Sequence, residues 1–154
     1  MCIRDRSLCR APLLVPLGAY QNVVVARVSV QGVRALVPVL VGIVGLTLVG
    51  AVASWPIGPW AMRVVNPDFH VDGPVFAGLV LGAGLVAVLT VTGAAAVALD
   101  HHTVYLAGWI AATVATVAVL LLPGGLEQRV VTSLLVGPAV GVVVHLVWGH
   151  RKVG

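Results

Sequence analysis

Long apolar runs dominate the pattern of hydrophobic and polar positions along this chain. Four runs contain no Asp, Glu, Lys or Arg: Ala35 to Ser54, Val75 to Leu99, Val104 to Leu122, and Val130 to Trp148. An α-helix crosses a hydrocarbon core about 30 Å thick with roughly 20 apolar residues. A charge at its centre costs about 2.5–3.5 kcal/mol on insertion scales, which explains why these runs carry none. The pattern therefore predicts an all-α membrane protein with four complete transmembrane helices.

A weaker apolar segment precedes these runs. Residues 10–28 are apolar but carry Gln21 and Asn22 near their middle. We predict one further, N-terminal helix here, complete or truncated. Amides in the middle of a span bond to neighbouring helices or face a wet cavity, and the sequence leaves both interpretations open.

The longest polar connection follows the first complete span. An aromatic ring suits headgroup depth and a proline stops a helix, so Trp55-Pro56 is expected to end that span. Residues 61–65 are four apolar residues and one arginine. They predict a short helix lying in the membrane interface, closed by a turn at Asn66-Pro67. A plain loop is the alternative.

Small residues mark helix surfaces that can pack closely. Gly78-x-x-x-Gly82 predicts that the span of residues 75–99 packs in the interior of the bundle. A second ladder of small residues follows in the next span: Ala107, Ala111 and Ala115. Pro138 predicts a kink in the last span.

Composition agrees with lipid as the surroundings of these runs. Hydrophobic residues make up 60% of the chain and charged residues 9%, and the mean hydropathy is +1.09. A soluble domain usually carries about 25% charged residues. The net charge of +4 comes from Lys and Arg scattered singly along the chain, without a basic face. We therefore expect membrane lipids, and no nucleic acid, as partners.

Few side chains have the spacing of a catalytic or metal site. Residues 100–102 read Asp-His-His between two spans that supply no further ligand, so we interpret them as a solvated corner and expect no metal or other cofactor. Residues 68–72 alternate Asp-x-His-x-Asp, which is the best argument for a membrane enzyme, but no recognised nucleophile accompanies them. His145 lies one turn before Trp148 and is predicted to be interfacial, with a proton relay as the alternative.

The first residues look foreign to the rest. Residues 1–6, MCIRDR, match the translation of the transposon mosaic end used in sequencing libraries. The alternative, a charged signal-peptide region, fits poorly because no clear small-residue cleavage site follows. We therefore expect residues 7–154 to be the C-terminal part of a longer natural chain.

Basic residues bias the orientation of a multi-pass protein. Because loops alternate sides, one side is expected to hold four basic residues and the other three. They are Arg27, Arg34, Arg151 and Lys152 on one side, and Arg10, Arg63 and Arg129 on the other. We assign the C-terminus to the cytoplasm.

Several short motifs occur in a recognisable order. They are Arg10-x-Pro12-Leu13 followed by Gln21, then Arg27-Val28-Ser29, then Gly58-Pro59-Trp60 with Arg63, then Asn66-Pro67-Asp68-Phe69, and a Pro-Gly break before the last span. In this order they resemble bacterial polysaccharide biosynthesis membrane proteins, which flip lipid-linked oligosaccharides. That family belongs to the superfamily that also holds multidrug and toxin extruders.

The resemblance implies a function and a wider architecture. The chain would supply half of a transporter bundle, and the missing N-terminal half of the same polypeptide would supply the other half. The substrate would be a polyprenyl-pyrophosphate-linked oligosaccharide, flipped across the bacterial cytoplasmic membrane without catalytic residues. Arg10 would meet the pyrophosphate, and Gln21 and Asn22 would contact sugar hydroxyls along the substrate path.

Two other functions stay open at this point. A multidrug-type exporter would favour a carboxylate inside a span, and the four complete runs contain none. A small membrane scaffold or subunit without transport activity would have an open reading frame that starts near residue 1.

Overall fold

The protein is described by a computed structural model that covers residues 36–65, 68 and 72–151. Its elements are α1 Leu36–Val65, α2 Gly73–Ala98, α3 His102–Leu120 and α4 Leu126–Arg151. All four helices are long and apolar enough to cross a membrane. The predicted helical, multi-pass membrane class and its four complete spans are confirmed. The predicted N-terminal helix over residues 10–28 lies outside the described residues.

The helix α2 is the centre of the bundle. It packs against α1 on one side and α4 on the other, and it also touches α3, while α3 and α4 share the most extensive contact. Gly78 and Gly82 face α4, where Val131 and Leu134 occupy the space that a Cβ would need. Of the four spans, α2 is the most buried and α1 the least. The predicted interior position of the Gly78–Gly82 helix is therefore confirmed.

The helix α1 is longer than predicted, and the predicted interfacial helix is wrong. Pro56 and Pro59 lie inside α1, which continues unbroken to Val65. A proline removes one backbone hydrogen bond but leaves the flanking ones, and membrane helices tolerate this where neighbours cover the freed carbonyl. With 30 residues, α1 is about 45 Å long, which exceeds the thickness of a hydrocarbon core of about 30 Å.

Glycines of α2 lie against two carbonyl groups that prolines leave without a helical donor. Pro59 frees the Trp55 oxygen, and a Cβ built on Gly73 would lie 2.6 Å from it. Pro138 frees the Leu134 oxygen, and a Cβ on Gly82 would lie 3.3 Å from it. A glycine lets the neighbouring backbone cover such a carbonyl at close range. The predicted kink at Pro138 stays a prediction.

A tight corner joins α2 to α3. Asp100 adopts a left-handed conformation with φ 60°. The His101 N–H donates to the Ala96 oxygen at 2.8 Å, and the Asp100 N–H donates to the Val97 oxygen at 3.0 Å. This is a Schellman motif, which satisfies the last carbonyls of α2. The corner fixes how α3 returns along α2, and therefore which residues of the two helices share a depth.

Candidate functional site at a buried histidine

His145 lies in α4 and is enclosed by α2 and α3. Only 5% of its surface is exposed. The ring is thus buried between helices, while the predicted interfacial depth of His145 stays a prediction. The proximity of Trp148 indicated depth along α4 but not the direction in which the ring points, and the ring points into the bundle. An ionisable side chain inside a membrane bundle marks a candidate functional site, provided that its partners are identified.

Both ring nitrogens of His145 have hydrogen-bond partners. Nε2 lies 3.3 Å from the backbone oxygen of Tyr105 on α3. Nδ1 lies 3.0 Å from the Oγ1 of Thr92 on α2. A carbonyl oxygen only accepts, so Nε2 carries a hydrogen and donates it to Tyr105. One imidazole ring therefore connects three helices.

The hydroxyl group of Thr92 has more acceptors than it has hydrogens. Its Oγ1 lies 3.0 Å from the Val88 oxygen and 3.0 Å from the Leu89 oxygen, besides the bond to His145. A hydroxyl has one hydrogen to donate and two lone pairs to accept with. Thr92 can therefore donate to the ring, or donate to its own helix and accept from the ring.

Two glycines make room for the imidazole. A Cβ on Gly108 of α3 would overlap the His145 ring. A Cβ on Gly93 of α2 would lie 3.3 Å from the ring carbon Cε1 and 3.1 Å from Cδ2 of Tyr105. Larger residues at these positions would push the ring out of its place. The glycines therefore belong to the site although they have no side chain.

Close contact between α3 and α4 continues beyond the ring. On α4, Gly141 sits one turn before His145, and its hypothetical Cβ would lie 2.8 Å from the Gly108 oxygen and 2.9 Å from the Ala112 Cβ. The buried positions of α3 are Val104, Gly108 and Ala112. The predicted ladder of Ala107, Ala111 and Ala115 is only half-buried. The buried face of α3 is thus shifted by one residue from the ladder of alanines in the sequence.

No charged side chain is among the hydrogen-bond partners of the His145 ring. Neither α2 nor α3 contains Asp, Glu, Lys or Arg. On α4, Glu127 and Arg129 lie in the first turns, more than four turns before His145, and Arg151 ends the helix six residues after it. Arg129 donates to the Leu120 oxygen at 3.2 Å at the end of α3. The environment of the ring is therefore built from backbone oxygens and one hydroxyl rather than from counter-ions.

The predicted substrate-path residues Arg10, Gln21 and Asn22 lie outside the described residues. Among the residues that are described, no group of three or more His, Cys, Asp or Glu is placed to hold a metal ion. The solvated corner is confirmed: the His102 Nε2 lies 3.1 Å from the Asp100 Oδ1, and both side chains are mostly exposed.

An apolar groove lies between α1 and α2. Its volume is about 290 Å³. It is lined by Val44, Thr47, Leu48, Leu81, Gly84, Leu85, Val88 and Leu135. None of these side chains is charged, so the groove fits hydrocarbon and has no group that would bind a pyrophosphate.

Sequence reasoning missed Thr92, Tyr105, Gly93 and Gly108 as parts of a site. The sequence did contain a signal that could have related Thr92 to Tyr105, because the corner at Asp100 folds α3 back along α2. Residues before and after that corner therefore run back alongside each other, with Thr92 eight residues before Asp100 and Tyr105 five residues after it. The rotation of each helix, which brings them to one ring, depends on packing.

Curated relatives of the chain come from mycobacteria. The uncharacterized protein Rv1510 of Mycobacterium tuberculosis is 45% identical over 144 residues, covering 91% of this chain and 33% of the relative. The uncharacterized protein Mb3654 of Mycobacterium bovis is 44% identical over 145 residues, covering 92% of this chain and 34% of the relative. No family model and no solved structure matches the chain. The chain spans about a third of the length of the curated relatives it matches.

Proposed function

We propose that the chain is part of a transporter in the bacterial cytoplasmic membrane, with its C-terminus in the cytoplasm. The observation that carries this proposal is the hydrogen-bonded His145 inside a membrane bundle. Polar and ionisable groups inside spans are costly, and they concentrate in proteins that move solutes or protons. A scaffold that only holds a partner has no need of such a group.

The cargo we propose is a polyprenyl-pyrophosphate-linked oligosaccharide for cell-surface polysaccharide synthesis. Its support is the order of motifs from Arg10 to Phe69 that resembles oligosaccharide flippases. The length of the relatives supports a larger bundle, because about two thirds of their sequence lies beyond the matched part. Transporters generally bind substrate between two structural repeats, so the rest of such a polypeptide would complete the path.

Flipping makes and breaks no covalent bond, so the protein has to supply a wet path for an anionic headgroup while the prenyl tail stays in lipid. A guanidinium binds phosphate oxygens with two parallel hydrogen bonds. In the proposed path, Arg10 meets the pyrophosphate, and the amides of Gln21 and Asn22 contact sugar hydroxyls.

Replacement of Arg10 with alanine is expected to slow headgroup inversion by at least tenfold, because the pyrophosphate loses its bidentate partner. The polypeptide that contains this chain, at the length of its relatives, is reconstituted in liposomes with a fluorescent polyprenyl-pyrophosphate oligosaccharide. Inversion is measured by quenching from outside. Arg63→Ala is the matched control, since the exposed Arg63 donates to the Pro59 oxygen of its own helix. Unchanged inversion in Arg10→Ala would remove Arg10 from the path, and no inversion by the unaltered protein would refute the cargo.

A further inference from the structure

We propose that His145 and Thr92 form a proton-binding site inside the bundle, in which the Thr92 hydroxyl adapts its hydrogen bond to either charge state of the imidazole. The site is defined by the contacts of three helices and goes beyond the proposed cargo. It would stand unchanged if the chain moved a different solute.

The neutral ring is fully bonded in the observed geometry. Nε2–H donates to the Tyr105 oxygen at 3.3 Å. Nδ1 then has a free lone pair, and it accepts the hydroxyl hydrogen of Thr92 across 3.0 Å. Each polar atom of the ring therefore has a partner of the required kind.

The cationic ring is fully bonded in the same geometry. A proton taken from water at the membrane face adds to the lone pair of Nδ1, and Nδ1–H then donates to the Thr92 Oγ1. The hydroxyl hydrogen of Thr92 turns to the Val88 or the Leu89 oxygen, each 3.0 Å away. Nε2–H keeps its bond to the Tyr105 oxygen. Only a hydroxyl hydrogen rotates between the two states, and no heavy atom has to move.

The groups that face the ring determine how the charge is held. From α2 they are Thr92 and Gly93, and from α3 they are Tyr105, through its carbonyl, and Gly108. None of these carries a charge, so the cation is stabilised by oriented oxygen atoms. The exposed pair of Asp100 and His102 lies at the corner about one turn before Tyr105 and is not among the groups that contact the ring.

Proton binding is tested by ¹⁵N NMR of the full chain, labelled at histidine and placed in lipid nanodiscs, between pH 8 and pH 5. His145→Gln assigns the signal by its disappearance. We expect Nε2 to stay protonated throughout while Nδ1 changes from unprotonated to protonated. A Nδ1 that stays unprotonated down to pH 5 would overturn the proposal and make His145 a permanently neutral contact. The readout needs no substrate, so it is independent of the proposed transport.

The role of Thr92 is tested with a pair of variants in the same titration. Thr92→Val removes the acceptor for Nδ1–H, so the fraction of doubly protonated His145 at pH 5 is expected to fall at least fivefold. Thr92→Ser keeps the hydroxyl and is expected to titrate like the unaltered chain. If Nδ1 of His145 titrates equally in Thr92→Val and in Thr92→Ser, the proposed role of the Thr92 hydroxyl is refuted. If Thr92→Val does not fold, two results still test the proposal. They are the protonation of Nδ1 at pH 5 in the unaltered chain and the titration of Thr92→Ser compared with that of the unaltered chain.

Discussion

Replacement of Gly141 with alanine is expected to destabilise the bundle by about 1–3 kcal/mol, the usual cost of overpacking a well-filled core. The new Cβ would lie 2.8 Å from the Gly108 oxygen, which is backbone, and 2.8 Å from Cδ1 of Leu89. Backbone cannot move aside cheaply, so α3 and α4 would have to separate. The measurement is the free energy of unfolding in mixed micelles, followed by circular dichroism.

Gly45→Ala is the matched control for this prediction. Gly45 lies inside α1, and a Cβ there would meet nothing within 4 Å. Alanine is a better helix former than glycine by about 0.5–1 kcal/mol, so this variant is expected to be as stable as the unaltered chain or slightly more stable. Equal losses in Gly45→Ala and Gly141→Ala would show that α3 and α4 do not pack as described.

Replacement of Gly108 with alanine is expected to cost about 1–3 kcal/mol for a different reason. The new methyl group would take the place of the His145 ring, whose two hydrogen bonds would break. The double variant Gly108→Ala with His145→Ala relieves the clash. We therefore expect it to be more stable than the sum of the single changes predicts, with a coupling of about 0.5–3 kcal/mol.

If the stability losses of Gly108→Ala and His145→Ala simply add in the double variant, the described contact between Gly108 and the His145 ring is contradicted, because residues in direct contact couple. Gly42→Ala combined with His145→Ala serves as the control pair. A Cβ on Gly42 would meet nothing within 4 Å, so its effect is expected to add without coupling.

Hydrophobic length was sufficient to predict the membrane class and the four spans, because hydrocarbon excludes charge over a fixed thickness. The same reasoning placed the end of the first span at Pro56, where the helix instead continues to Val65. A proline is a local signal for a helix end. Whether a neighbour covers the freed carbonyl, as Gly73 does for Trp55, is a tertiary property.

The candidate site was only partly predictable for a similar reason. His145 was recognised as an ionisable residue in an apolar run, and the interfacial depth predicted from its spacing to Trp148 stays a prediction. Its burial depends on the rotation of α4 against α3, and that rotation is set by Gly108 and Gly141 fitting together. A run that is apolar on all sides has little periodicity that would fix such a rotation. The same lack of periodicity explains why the buried face of α3 differs by one residue from the ladder of alanines.

The central claim is that these helices cross a bilayer, and topology labelling tests it most directly. After Cys2 and Cys9 are replaced with serine, single cysteines are placed at Asp100 and at Gly124, in the turns at opposite ends of α3. A membrane-impermeant thiol reagent added to sealed vesicles is expected to label one of the two from outside, the other only after lysis, and a cysteine at Val114 in neither condition. Labelling of both turns from the same side, or of position 114, would contradict the account.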